Sequence, residues 1–116
     1  MAYNEELAMR IRATFNSYPK EVQDAVTEKK MFGGITFLFH GKMTVGIIKE
    51  VLMVRVVSHK MKLVLAMDAV RPMDFTKRPM KEFIYVDPSG VKTELQLLEW
   101  VEMGLEHAKS KLSLKH

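Results

Sequence analysis

A chain of 116 residues that is 47% hydrophobic and 28% charged has an ordinary globular composition, and it is long enough for one domain with a substantial core. The absence of cysteine excludes a disulfide, a thiolate nucleophile and a cysteine-ligated metal, and no apolar run approaches the roughly 18 residues of a membrane span. The net charge of +4 is unevenly placed: residues 1–28 carry three basic and five acidic side chains, residues 29–70 seven and two, residues 71–92 five and three, and residues 93–116 three and four. Positive charge gathered in the middle of a chain can pair with phosphates, and it can equally serve solubility.

The start, MAYNEELAMRIRATF, is acidic at once and has no apolar targeting segment, which predicts a cytoplasmic protein. Asn4 is a suitable N-cap, Glu5 and Glu6 suit the positive end of a helix, and Leu7, Ala8, Ile11 and Phe15 share one face at helical spacing. Ser17-Tyr18-Pro19 ends that helix, and Lys20 to Thr27 is read as a further short helical turn.

The segment Lys29 to Val56 organises the rest. Ile35 to Phe39, Met43 to Ile48 and Leu52 to Val56 alternate with period two and predict a three-stranded antiparallel meander. Gly41, after His40, suits the positive φ of a tight hairpin loop, and Gly33-Gly34 suggests a bulge or a close backbone approach. One face, built from Ile35, Phe37, Phe39, Met43, Val45, Ile47, Leu52, Val54 and Val56, is wholly apolar and calls for helices above it. The other mixes Thr36, His40, Thr44, Gly46 and Arg55 with Leu38, Ile48 and Met53. In a two-layer domain that second face meets solvent, where contiguous apolar area marks an interface.

Ser58 can cap a second helix running to Met67, apolar on more than one side and so wedged between the sheet and something else. RPMDFTKRPM, residues 71–80, repeats Arg-Pro-Met; Pro72 and Pro79 make it a stiff loop or edge strand. Arg71 and Arg78 on such a segment can hold a carboxylate or phosphate, or simply pair with Asp74 or an acidic helix residue. Phe83 to Val86 reads as another strand, bounded by the turn Asp87-Pro88-Ser89-Gly90. Thr93 and Gln96 form a capping box for a last helix, whose stripe is Leu97, Leu98, Val101, Leu105, Ala108 and Leu112. Gly104 in that helix admits a close neighbour, with Trp100 packed beside it.

The residues show no catalytic constellation. His40, His59, His107 and His116 have no HxH or HExxH spacing, no GxSxG elbow occurs, and the carboxylates fall on helix faces rather than in pairs that could push each other's pKa apart. No metal and no cofactor is inferred.

KKMFGG (Lys29 to Gly34), Phe37, Gly41 and Met43, LMVRV (Leu52 to Val56), RPMDFTKRPM, FIYVDPSG (Phe83 to Gly90) and WVEMGLEHA (Trp100 to Ala108) together resemble the N-terminal domain of the TfoX (Sxy) family, bacterial regulators of competence genes. Thr44-Val45 after Met43 departs from the family pattern, and so does Glu82, which stands where the family usually has glycine. The resemblance implies an α+β fold of two layers, an antiparallel sheet of about five strands covered by helices in the order α-β-β-β-α-β-β-α, with Met73 to Phe75 as the fifth strand. It also implies a regulatory, non-enzymatic role; the family's full-length regulators carry a second, C-terminal domain, whereas a single domain over residues 1–116, with no C-terminal domain, is expected here. Two modes of action follow. In the first, Lys29, Lys30, Lys42, Arg55, Arg71, Lys77, Arg78 and Lys81 contact DNA or the transcription machinery. In the second, Leu38, Ile48 and Met53 form a face that dimerises or holds a partner protein.

Overall fold

The computed structural model describes residues 3–31, 33–73 and 81–113. Helices α1 (Glu5–Asn16) and α2 (Lys20–Ala25) are followed by strands β1 (Val26–Met31), β2 (Gly34–Phe39), β3 (Lys42–Ile48) and β4 (Val51–Arg55). Helix α3 (Ser58–Leu65), strands β5 (Val70–Pro72) and β6 (Phe83–Val86), a 3-10 turn at Pro88–Gly90 and helix α4 (Glu94–Ser113) complete the order. The fold is α+β as expected, but its antiparallel sheet has six strands, in the order β1-β2-β3-β4-β6-β5. Among the described residues no helix is long and apolar enough to cross a membrane.

The additional strand is β1. Helix α2 stops at Ala25, and Val26 to Met31 pair with β2 instead of extending a helical turn to Thr27. Gly33 turns the chain with φ +77°, and a Cβ on Gly34 would stand 1.8 Å from the Ile47 carbonyl oxygen, so this pair serves a turn and a close backbone approach. The hairpin between β2 and β3 turns on His40 and Gly41, both at positive φ, as tight hairpin loops require. The fifth strand ends at Pro72, so Met73 follows β5; Asp74 and Phe75 lie outside the described residues.

The bulge falls inside the meander. Phe37 faces Val45, whereas Leu38 faces Met43, so Thr44 is an extra residue on β3. Its hydroxyl donates to the Phe37 carbonyl at 2.7 Å. Because strand side chains alternate with period two, one inserted residue sends what precedes it to the opposite face. Met43 therefore leaves the helix-covered face to which its spacing assigned it and, like Ile48 and Val51, packs against the buried cluster of Met53, Met73, Phe83 and Tyr85 on the other.

Helices α1 and α4 cover one face. Leu7, Ile11 and Phe15 of α1 and Leu97, Val101 and Leu105 of α4 join Phe37, Val45, Ile47, Leu52 and Val54 in the main core. The caps form as the sequence implies: Asn4 Oδ1 accepts from the Leu7 amide at 3.0 Å, and Thr93 and Gln96 bond each other's backbone amides at 3.0 and 3.1 Å. Gly104 lets α4 rest on the bulge, since a Cβ there would lie 2.7 Å from the Thr44 carbonyl oxygen. Trp100 is buried one turn away and donates from Nε1 to the Gly90 carbonyl at 3.0 Å.

The second face is not left to solvent. Met53, Met73, Phe83 and Tyr85 form a smaller core there, and Met53 and Met73 are fully buried. Gly46 makes room for this packing, because a Cβ on it would come within 2.7 Å of the Met53 methyl group.

Candidate functional site

Among the described residues, the basic side chains singled out in the sequence do not converge as one set. Lys29 and Lys30 are exposed on β1, and alternation points them to opposite faces. Arg71 lies on β5 at the far edge, five strand spacings or about 24 Å away. Its guanidinium donates from Nε and a terminal nitrogen to one oxygen of Asp87, at 3.1 and 3.0 Å, and sits 5.3 Å from the Tyr85 ring centre. The carboxylate that holds Arg71 thus comes from the turn after β6. Lys81 is exposed beside Glu82, and Lys77 and Arg78 lie outside the described residues.

Lys42 and Arg55 do come together, at one end of the sheet. Lys42 opens β3, Arg55 closes the antiparallel β4, and Glu82 precedes β6, so all three reach the same end, where the C-terminal half of α4 brings His107 and Lys111. Arg55 stacks 4.1 Å from the Phe83 ring centre. Glu82 is the hub. Its Oε1 lies 3.0 Å from His107 Nε2, 3.5 Å from Arg55 and 3.5 Å from Lys111, and its Oε2 accepts from Ser58 at 2.5 Å. Ser58 is the first residue of α3 and spends its hydroxyl on Glu82, not on capping the helix. The Ser58 and His107 hydrogen bonds hold the Glu82 carboxyl down at about 2. Burial pushes the His107 imidazole below its ordinary value, against the pull of Glu82.

His107 Nε2 is also 3.0 Å from an Arg55 terminal nitrogen. One ring nitrogen cannot donate to Glu82 and accept from Arg55 together, so the tautomer decides which bond forms. Chemically the line runs serine, carboxylate, histidine. The carboxylate stands between the hydroxyl and the imidazole, and a carboxylate held near 2 is too weak a base to activate Ser58. This cluster was not found from the sequence; the signal for it was Glu82, a non-glycine at φ +64° where the resembled family usually has glycine.

The apolar set separates too. Met53 is fully buried, which removes it from any exposed interaction face; Ile48 is half-buried against its cluster, and Leu38 is half-buried two strands away on β2. Among the described residues the exposed large apolar side chains are instead Met9, Leu63, Leu65, Met67 and Leu95. Leu63 and Leu65 belong to α3, of which only Val64 is buried. Next to it runs a groove along α4 made of two connected depressions of about 710 and 410 Å³ that share Glu99 and Met103. Met67, Trp100, Met103 and Leu98 give it an apolar lining. Asp68, Glu99, Glu102 and Glu106 outnumber Lys60 and Lys109 around it.

A single antiparallel sheet with helices packed on one face, a second small core on the other and an open groove along the last helix defines a compact α+β domain. Residues 20–108 match the TfoX N-terminal domain, and the chain belongs to that family. At the level of the family it is a regulatory, competence-type domain. No curated protein matches the chain.

Proposed function

We propose that this protein is a non-enzymatic regulator of transcription in the bacterial cytoplasm that acts by docking a segment of a transcription-machinery protein in the groove along α4, and not by holding DNA itself. The observation that carries this reading is the contrast between the two surfaces. Lys29 and Lys30 lie at the opposite sheet edge from Arg71, and Arg55 and Arg71 are tied into ion pairs, whereas Leu63 and Met67 stand exposed beside an apolar, acid-rimmed groove. The occupant that fits is an amphipathic segment with basic flanks, its apolar side chains laid between α3 and α4.

The test is a titration of labelled protein with purified bacterial RNA polymerase, beside fluorescence anisotropy of labelled duplex DNA at about 50 and 200 mM salt. Saturable binding to the polymerase is expected, at least tenfold weaker in a Leu63→Asp, Met67→Asp double variant and unaffected by Leu38→Asp, with little DNA binding at either salt. Tight DNA binding that falls steeply with salt would instead support direct contact through the basic residues. A concentration-dependent dimer abolished by the double variant would turn the groove into a self-association surface.

A further inference from the structure

The two depressions along α4 differ in build. The larger one carries both signs of charge, with Lys60 bonded to Glu106 at 2.7 Å and Lys109 lining it too. The other, of about 410 Å³, lies between the loop after α3, the 3-10 turn at Pro88–Gly90 and the first half of α4. Its three walls are fastened to one another. Trp100 Nε1 donates to the Gly90 carbonyl at 3.0 Å, the Asp87 amide donates to the Ala69 carbonyl at 2.8 Å, and a Cβ on Gly90 would come within 2.9 Å of the Ala69 methyl group. This hollow is therefore formed before any ligand arrives, and its volume falls within the range of small-molecule sites.

Its chemistry is one-sided. Met67, Met103 and Trp100 supply apolar, polarisable surface, and the exposed carboxylates of Asp68 and Glu99 stand at its rim. Among the described residues neither carboxylate has an ion-pair or hydrogen-bond partner, and no lysine, arginine or histidine lines the hollow. We propose that it binds a small hydrophobic organic cation, a primary ammonium or guanidinium group on a compact apolar body. The body lies against Met67, Met103 and Trp100, and the cationic head reaches Asp68 and Glu99. An anion of the same size is repelled by both carboxylates, and a neutral molecule gains only the burial. Glu99 and Met103 also belong to the docking groove, so the bound cation and a docked segment exclude each other, a consequence that alone rests on the docking reading.

Trp100 is the one tryptophan of the chain, so intrinsic emission reports from the wall of this hollow. The probe is cyclohexylmethylammonium, which does not absorb with the indole, titrated at constant ionic strength beside neutral cyclohexylmethanol and anionic cyclohexanecarboxylate. The expected result is a saturable change in emission with a dissociation constant in the millimolar range for the cation, several-fold weaker binding of the alcohol and none of the carboxylate. Asp68→Asn and Glu99→Gln, both at exposed positions, should each weaken the cation about threefold and together about tenfold, with the thermal midpoint and the alcohol's affinity unchanged. A change that stays linear in the cation, equal affinity for the alcohol, or a double variant that binds as the parent does would overturn the proposal. So would tighter binding of N-acetylarginine N-methylamide than of the probe, which would give the hollow to a side chain of a docked segment. Absence of polymerase binding would count against the docking reading and leave the cation site standing.

Discussion

Replacing Gly104 by alanine tests whether α4 is seated on the bulge of β3. The new Cβ would stand 2.7 Å from the Thr44 carbonyl oxygen, 2.8 Å from its carbon and 3.0 Å from its Cα, where ordinary contact begins at 3.4 Å. All three atoms are backbone, and Thr44 is pinned by its own hydroxyl bond to Phe37, so no flexible side chain can yield. Either α4 lifts by several tenths of an ångström, loosening Val101 and Leu105, or the bulge distorts. Overpacking of this kind destabilises by roughly 1–3 kcal/mol, here towards the upper end, while alanine improves the helix by about 1 kcal/mol over glycine. The net expectation is a loss of about 1–2 kcal/mol, a fall in Tm of roughly 5–10 °C. Thermal unfolding followed by circular dichroism at 222 nm measures it, with urea titration to check that the m-value is unchanged. A variant that melts with, or above, the parent protein would mean that only the propensity gain was felt. The close approach of α4 to Thr44 would then be wrong.

The Glu82 cluster should make stability depend on pH with a definite sign. A carboxyl lowered to about 2 in the folded state stabilises fully above its unfolded value near 4.5, and that contribution is lost as pH falls from there towards 2. His107, a base with a lowered folded value, acts in the same direction from about 6.5 downward, because the unfolded chain takes up the proton first. Urea midpoints at pH 7, 5 and 3 should therefore decline, and Glu82→Gln should flatten the lower limb; an unchanged slope in that variant would remove Glu82 from the account. Met53→Ala should cost about 2–5 kcal/mol, whereas Leu63→Ala on the exposed side of α3 should stay within about 0.5 kcal/mol. Equal unfolding midpoints for these two variants would contradict the second core.

Elements with one buried face were legible in the sequence. Phe37, Phe39, Val45, Ile47, Leu52 and Val54 alternate because helices cover them, and the α4 stripe and its capping box are equally plain. Strand β1 escaped because it buries no apolar side chain along most of its length: Thr27, Glu28, Lys29 and Lys30 are all exposed, so its pairing with β2 leaves no apolar period. Met43 was assigned to the wrong face because the bulge at Thr44 is a register event that alternation cannot reveal. Met53 looked available because its covering residue, Met73, arrives from twenty positions later, a tertiary contact without a local signature. The Glu82 hub joins the start of α3, the end of β4 and the last turns of α4. Only folding makes those three segments neighbours.

The exposure of β1 gives Lys29 and Lys30 a duty unrelated to any ligand. An outermost strand leaves a row of backbone amides and carbonyls unpaired, a template on which another copy of the chain can lay its own strand. The run Thr27-Glu28-Lys29-Lys30 places both signs of charge and two long, hydrated ammonium groups along that border, and pairing two such borders in parallel register sets like charges against each other. The opposite border, β5, is only three residues long and ends in proline, which has no amide hydrogen to offer. The sheet is thus closed to lengthening at both ends by different means, one ionic and one covalent, and the lysines of β1 act as a guard against filament growth.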